Sequence, residues 1–148
     1  MRFVHESVIA ASVEAVFGFH ERPDALQQLL PPWERVRNVR PADSLEVGAV
    51  ARLEQRVGPL WLEIVAEHVE YEKNALFVDE MRKGPFAAWR HEHRFEPHPD
   101  GCRLTDAITY TPPAWVFGRL AAPLAIEPRL RKMFEYRHRV THEALEGA

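Results

Sequence analysis

Cysteine is nearly absent from this chain, since Cys102 is the only one among 148 residues. A lone cysteine cannot form an intrachain disulfide, and it supplies too few thiolates for a zinc–thiolate or iron–sulfur site. This usage is typical of a reducing compartment, and we therefore expect a cytoplasmic protein. Cys102 also follows the Asp100-Gly101 turn, without a helix N-terminus that would activate its thiol.

Long apolar runs and an excess of basic charge are missing as well. Charges or prolines interrupt every apolar run before the roughly 20 residues that a membrane span needs, and no signal-peptide core opens the sequence. The 19 Lys and Arg residues are interspersed with 22 Asp and Glu residues, which gives a net charge of −3. We therefore expect no membrane span. We also expect no nucleic-acid partner, because no basic face is available to bind phosphates.

The usual signatures of covalent and nucleotide chemistry are also lacking. None of the serines, at Ser7, Ser12 and Ser44, stands in a Gly-x-Ser-x-Gly elbow, which disfavours covalent hydrolysis. No glycine-rich loop joins a strand to a helix, so a nucleotide is not expected. We predict that the protein uses no cofactor.

The chain does contain enough apolar sequence, 46% of its residues, for one domain over residues 1–148. The segment from Arg2 to Ala10 predicts a strand, and Ser12 predicts the cap of a short helix. Pro23 suits the first turn of a second short helix, which Pro31-Pro32 must end.

From Trp33 to Tyr110 the apolar pattern has a period of two, and turn-forming residues recur at short intervals. Strands joined by such tight turns pair only antiparallel. We therefore predict a meander of about five or six strands from roughly Arg35 to Tyr110.

The last third of the sequence predicts helices interrupted by prolines. A short segment from Trp115 to Ala122 should precede a long helix, with Pro128 in the first turn of that helix. One apolar stripe of the long helix should cover the sheet. Its members are Leu130, Met133, Phe134, Arg137, Thr141, Ala144 and Leu145.

This order of elements, read with four segments, resembles the SRPBCC superfamily of START and birch-pollen-allergen-like helix-grip proteins. The segments are Ser7-Val-Ile-Ala-Ala-Ser-Val-Glu-Ala-Val-Phe17, Lys83-Gly-Pro-Phe-Ala-Ala-Trp-Arg-His-Glu-His-Arg-Phe95, Leu104-Thr-Asp106 and Met133-Phe-Glu-Tyr-Arg-His138. Within the superfamily the chain is similar to bacterial ligand-binding proteins of about this length, and the resemblance covers nearly all of it.

The resemblance implies an α+β helix-grip fold, with a curved antiparallel sheet wrapped around a long C-terminal helix and two short helices after the first strand. It also implies a cavity for an apolar small molecule between sheet and helix. It supplies no catalytic signature, because the superfamily includes carriers, cyclases, hydratases and hormone receptors.

Two histidines share one face of the strand around residue 91. Side chains alternate along a strand, so Trp89, His91 and His93 should face the helix while Arg90 and Arg94 face water. The two imidazoles are then either hydrogen-bonded core groups or ligand-binding groups, and both interpretations stay open.

His-x-His is also a metal-ligand spacing, because two imidazoles on one strand face can reach a common zinc ion. Asp79, Asp106 or His138 would have to supply a third ligand. Nothing in the spacing requires this, and we predict no metal site.

Two carboxylates fall among strand residues that favour burial. Asp106 shares its face with Tyr110 and other apolar residues, so its charge must be paired or hydrogen-bonded. Asp79 belongs to one of two competing apolar sets, and a solvated edge position stays open for it.

Arg137 lies on the sheet-facing stripe of the long helix, where a guanidinium needs a partner. We favour an internal salt bridge to Asp106 or Asp79, and an anchor for a ligand carboxylate or phosphate is the alternative. Tyr136 and His138 flank the stripe, where each either borders the cavity or covers the edge of the helix.

The leading functional hypothesis is the binding of a small apolar or amphipathic molecule in the cavity. The alternative is a polyketide-cyclase-like or hydratase-like enzyme that uses an Asp–His pair for proton transfer. An interaction module with a filled core is a third hypothesis, and a homodimer is left open. The candidate ligand-binding residues are Trp89, His91, His93, Asp79, Asp106, Tyr110, Tyr136 and Arg137.

Overall fold

The structure is a computed structural model that describes residues 1–113 and 122–146, with side chains from residue 126 onward in the second range. The segment expected from Trp115 lies outside the described residues apart from Ala122, where the last helix begins. No described helix combines the length and the apolar character that crossing a membrane requires.

The chain opens with a strand and two short helices, as the sequence predicts. The elements are β1 (Arg2–Ile9), α1 (Val13–Glu21) and α2 (Ala25–Leu29). The Oγ of Ser12 accepts a hydrogen bond from the backbone N–H of Ala15 at 3.1 Å, which satisfies one of the free donors at the start of α1.

Six further strands form a meander. They are β2 (Val36–Arg40), β3 (Val50–Val57), β4 (Leu60–Glu72), β5 (Leu76–Lys83), β6 (Ala88–His98) and β7 (Gly101–Thr111). The strand order is β1-β7-β6-β5-β4-β3-β2, with every neighbouring pair antiparallel. The tight turns enforce this order, and the first strand closes the sheet beside the last.

Gly101 lies where the turn between β6 and β7 approaches the end of β1. Its φ is +138°, and a Cβ atom at this position would lie 2.1 Å from the carbonyl oxygen of Ile9. Only glycine fits this close approach of two backbones.

The long helix α3 (Ala122–Glu146) packs against the sheet through a buried face of Leu130, Phe134, His138 and Thr141. The predicted position of Pro128 in the first turn is wrong, since Pro128 lies inside the helix. The helix therefore continues past a residue that has no N–H for the preceding turn. The α+β helix-grip fold, a curved antiparallel sheet with a long C-terminal helix, is confirmed.

Candidate functional site

A cavity of about 500 Å³ lies between the sheet and α3. Its wall is mainly apolar and comes from α2, from strands β3 to β6 and from α3. The apolar lining includes Leu26, Leu29, Leu53, Ile64, Ala66, Phe77, Met81, Phe86, Trp89, Leu130, Met133 and Phe134. The space between sheet and helix is thus not filled by side chains, and the interaction module with a filled core lacks support.

The register of the sheet brings buried polar residues of neighbouring strands side by side. Asp106 of β7 pairs with His93 of β6 and with His5 of β1. Asp79 of β5 pairs with His91 of β6. Directly paired residues of antiparallel strands point to the same face, so these side chains meet under α3.

Asp106 is the centre of a buried hydrogen-bond network. Its Oδ1 accepts from Nε2 of His91 and its Oδ2 accepts from Nε2 of His138, each at 2.6 Å. Nδ1 of His93 lies 3.2 Å from Oδ1. Burial raises the pKa of this carboxyl, but hydrogen bonds from the three imidazoles outweigh burial and hold the pKa well below its usual range. Asp106 is therefore ionised at neutral pH.

His93 bridges the two carboxylates. Its Nε2 donates to Oδ2 of Asp79 at 2.9 Å, while its Nδ1 faces Asp106. Burial lowers the pKa of His93, but its contacts with Asp106 and Asp79 outweigh burial and raise the pKa. Each ring nitrogen therefore faces a carboxylate, and this arrangement favours the protonated imidazole.

Asp79 is the other partner of this bridge and lines the cavity. Burial raises its pKa, and the hydrogen bond from His93 and the nearby imidazoles outweigh burial and lower it. The alternative of a solvated edge position is excluded, because the side chain is 15% exposed.

His91 differs from His93 because only one of its nitrogens is engaged. Asp106 holds its Nε2, and no described residue hydrogen-bonds to its Nδ1. Burial, followed by the nearby His93, lowers the pKa of His91, so the ring is neutral at pH 7. The ring stacks on His93 at 3.6 Å between centroids and lies perpendicular to the Phe134 ring at 5.2 Å between centroids. His91 lines the cavity in a position that its neighbours fix.

Arg137 lines the cavity but forms no salt bridge with Asp106 or Asp79, so the favoured prediction for this residue is wrong. Imidazoles already occupy both carboxylates, which leaves the guanidinium without an acidic partner there. Its Cζ atom instead lies 5.2 Å from the centre of the Phe134 ring. Burial lowers the pKa of Arg137, and nearby carboxylates oppose that effect. The group stays a cation.

Two buried side-chain atoms lack a hydrogen-bond partner among the described residues, Nε of Arg137 and Nδ1 of His68. Both residues line the cavity. Burial lowers the pKa of His68, and a neutral imidazole can leave one nitrogen as a bare lone pair. An arginine Nε–H is always a donor, so the unpaired Nε of Arg137 is the less favourable of the two atoms.

Three of the predicted ligand-binding residues do not line this cavity. Asp106 lies behind His91, Tyr110 packs against the rings of Phe86 and Trp89, and Tyr136 contacts Trp33 at 5.3 Å. The remaining five, Trp89, His91, His93, Asp79 and Arg137, lie in its wall.

The sequence did not predict two contributors to the site, Ser7 and Glu34. Ser7 hydrogen-bonds to Nδ1 of His138 at 2.6 Å, which fixes the ring that Asp106 binds. Glu34 is buried in the cavity wall, where Gln55 donates to it at 2.6 Å and Arg129 at 2.8 Å. The loop containing Glu34 has no periodicity, so its sequence carries no signal of burial.

Asp79, His91 and His93 place one potential metal-ligand atom each within 4.8 Å of one another. The two imidazoles stack with only 29° between their planes, so their in-plane lone pairs do not converge on one point as a tetrahedral zinc site requires. Hydrogen bonding between the carboxylates and imidazoles explains the cluster without a metal.

A family model for polyketide cyclases, dehydrases and lipid transport matches residues 9–135. No curated protein matches the chain in sequence.

Solved structures share the fold over the whole chain. A Thermus thermophilus protein is 18% identical with a TM-score of 0.75, over 97% of this chain and 95% of that one. The di-domain ARO/CYC StfQ from the steffimycin biosynthetic pathway is 13% identical with a TM-score of 0.79, over 99% of this chain and 51% of StfQ. Ara h 8.0201 is 8% identical with a TM-score of 0.70, over 100% of this chain and 99% of the other. The TM-scores establish a common fold, and at these identities they establish nothing beyond the fold.

Proposed function

The chain belongs to the polyketide cyclase / dehydrase and lipid transport family, and on this premise we propose that it binds a small apolar or amphipathic molecule between the sheet and α3. The observation that carries the proposal is the apolar cavity of about 500 Å³. Small-molecule sites are typically concave, about 300–1,000 Å³ in volume and mainly apolar, with a few placed polar groups. The polar groups in its wall include His91, His93, Asp79 and Arg137. A cytoplasmic location and a homodimer stay predictions.

Filling the cavity tests this proposal. Ala66 lines the cavity on β4, and we expect Ala66→Trp to weaken binding of the neutral fluorescent probe N-phenyl-1-naphthylamine at least tenfold. The indole would occupy volume that the probe needs. Fluorescence titration measures the dissociation constant, and circular dichroism checks that the variant is folded.

Ala88→Trp is the matched control, because Ala88 is exposed on β6 and lies outside the cavity wall. This variant should bind the probe as the wild type does. Equal binding by the folded Ala66→Trp variant would place the probe elsewhere and contradict the proposal.

His91 supports a second candidate function, general-base catalysis on a carbonyl substrate. A carboxylate holds one of its nitrogens and the other has no described partner, which is the arrangement that a base requires. The lowered pKa of His91 keeps that second nitrogen unprotonated at neutral pH. Asp106 would act as a positioning residue that holds the tautomer.

Deuterium incorporation next to the carbonyl of 2-tetralone, followed by NMR, tests this second function. We expect the wild type to accelerate exchange and His91→Gln to lose at least 100-fold of that acceleration, the lower end of about 10²–10⁴ for general acid–base catalysis. His98→Gln, which changes a histidine outside the cavity wall, should keep the activity. An unchanged exchange rate in His91→Gln would exclude His91 as the base.

A further inference from the structure

We propose that the molecule bound in the cavity carries a carboxylate and that the guanidinium of Arg137 binds this group. The inference rests on the proposed binding function and deepens it, because it names the ligand class as amphipathic carboxylates with an apolar body. It also assigns an orientation, with the charged end of the ligand at α3.

A ligand that fills the cavity changes the surroundings of Arg137. Arg137 lines the cavity, retains intermediate exposure and has a buried Nε without a described hydrogen-bond partner. A ligand in the cavity displaces water from the accessible part of this side chain. A wholly apolar ligand would then leave a buried cation without an acceptor, which is among the most unfavourable states in a protein interior. A ligand with an anionic acceptor removes that penalty.

The carboxylates near Arg137 are already engaged by other side chains. His93 covers Asp79, and three imidazoles cover Asp106. Glu34 accepts hydrogen bonds from Gln55 and Arg129. The N–H donors of Arg137 therefore stay available to a ligand. The hydrogen bonds that Asp79, Asp106 and Glu34 accept from other side chains also reduce the repulsion between these acids and an anionic ligand.

The geometry of the Arg137 side chain also suits a carboxylate. A guanidinium is planar and presents parallel N–H groups that match the two oxygens of a carboxylate. Phe134 lies under the guanidinium of Arg137 and restricts its movement. The apolar wall extends from this ring to Leu130 and Met133 on the same helix, which provides surface for the body of the ligand.

The size of the cavity limits that body. At roughly 30 Å³ for each water-sized group, a cavity of about 500 Å³ holds on the order of fifteen such groups. Dodecanoate, a linear saturated carboxylate, is a probe of suitable size by this measure. Dodecanol and dodecylamine have the same chain with a neutral and a cationic end.

The orientation has a consequence for His91. Its ring and the Arg137 Cζ each lie 5.2 Å from the centre of the Phe134 ring, so they are no more than about 10 Å apart. A carboxylate bound to Arg137 therefore places the first carbons of the ligand in the neighbourhood of the unpaired His91 nitrogen. The charged end of the ligand, and not its apolar end, would lie near His91 and the Asp106 carboxylate behind it.

Displacement of N-phenyl-1-naphthylamine at pH 7 tests the inference. We expect dodecanoate to bind the wild type at least tenfold more tightly than dodecanol, and dodecylamine to bind more weakly than both. Arg137→Met should remove the preference for dodecanoate while it keeps the affinity for dodecanol. Arg139→Met, an exposed arginine on the same helix, should keep the preference.

The outcomes separate the two proposals. Equal affinity of the wild type for dodecanoate and dodecanol, or an unchanged preference in Arg137→Met, overturns the carboxylate site and leaves the cavity as a binding site. Failure of the wild type to bind the probe or any of the three compounds overturns the binding function and the inference with it. If Arg137→Met does not fold, the wild-type ligand series decides, together with Arg137→Lys, which keeps the charge and should retain a reduced preference.

Discussion

Replacing Asp106 with asparagine is expected to lower the free energy of unfolding by about 3–5 kcal/mol, the range for breaking a buried charge pair by removing one partner. Asp106 is 5% exposed and contacts three imidazoles. An amide offers one acceptor oxygen in place of two charged oxygens, and its NH₂ group would face an imidazole N–H. Urea denaturation at pH 7 measures the effect.

Asp100→Asn makes the same chemical change on an exposed residue, in the turn between β6 and β7, with a side chain 84% exposed. This control should change the free energy of unfolding by less than about 0.5 kcal/mol. A loss of stability in Asp106→Asn no larger than in the control would show that the buried network contributes little to the fold.

Acidification from pH 6.5 to pH 4 should destabilise the protein, with His20 as a major cause. Nδ1 of His20 donates to the carbonyl of Val16 at 2.8 Å, and burial lowers the pKa of His20 to about 4. In this pH range the unfolded chain binds a proton at His20 that the folded chain does not, so stability falls as the pH falls. The difference from the ordinary value of 6.5 corresponds to about 3 kcal/mol.

Asp106 and His93 of the buried network also make stability depend on pH. Their contributions have opposite signs and change in pH ranges other than that of His20. The depressed pKa of Asp106 gives stability that is present above the unfolded carboxyl pKa and is lost only as the pH falls through the lower folded value. The raised pKa of His93 gives stability that is complete below its unfolded pKa of about 6.5 and is lost as the pH rises through the folded value. Between pH 6.5 and 4 the slope therefore comes mainly from histidines with lowered pKa values, which include His68 and His91.

The variant His20→Asn tests the contribution of His20, since an asparagine amide can replace the Nδ1 donor without titrating. We expect the loss of unfolding free energy between pH 6.5 and pH 4 to be smaller than in the wild type by about 3 kcal/mol. His98→Asn, the same substitution at the end of β6, is the matched control. A slope in His20→Asn equal to that of the wild type would mean that His20 titrates normally in the folded protein.

The sequence left open whether the buried polar groups pair with one another or bind a ligand. The structure divides them into these two classes. His93, Asp79, Asp106 and His138 satisfy one another through hydrogen bonds. His91 and Arg137 each retain a polar atom that no described residue binds. A structural network therefore supports two groups that are available to a ligand.

The sequence was sufficient to predict the order of the elements and the faces of the strands. Turn residues at short intervals permit only antiparallel neighbours, so the meander could be predicted from local signals. Side-chain alternation placed His91 and His93 on the face toward the helix. The apolar residues that share a strand face with Asp106 indicated that Asp106 is buried. These features depend on residues that are close in sequence.

The tertiary structure alone decided which groups pair. Ser7 and His138 are 131 positions apart and Asp106 and His138 are 32 apart, so their contacts depend on how α3 is rotated and seated over the sheet. That same placement left Arg137 without a described carboxylate partner, so its guanidinium lies over Phe134 of its own helix. A helical stripe defines which side chains face inward, but hydrogen bonds need positions accurate to a few tenths of an ångström, and these positions arise only from the packing of the whole domain.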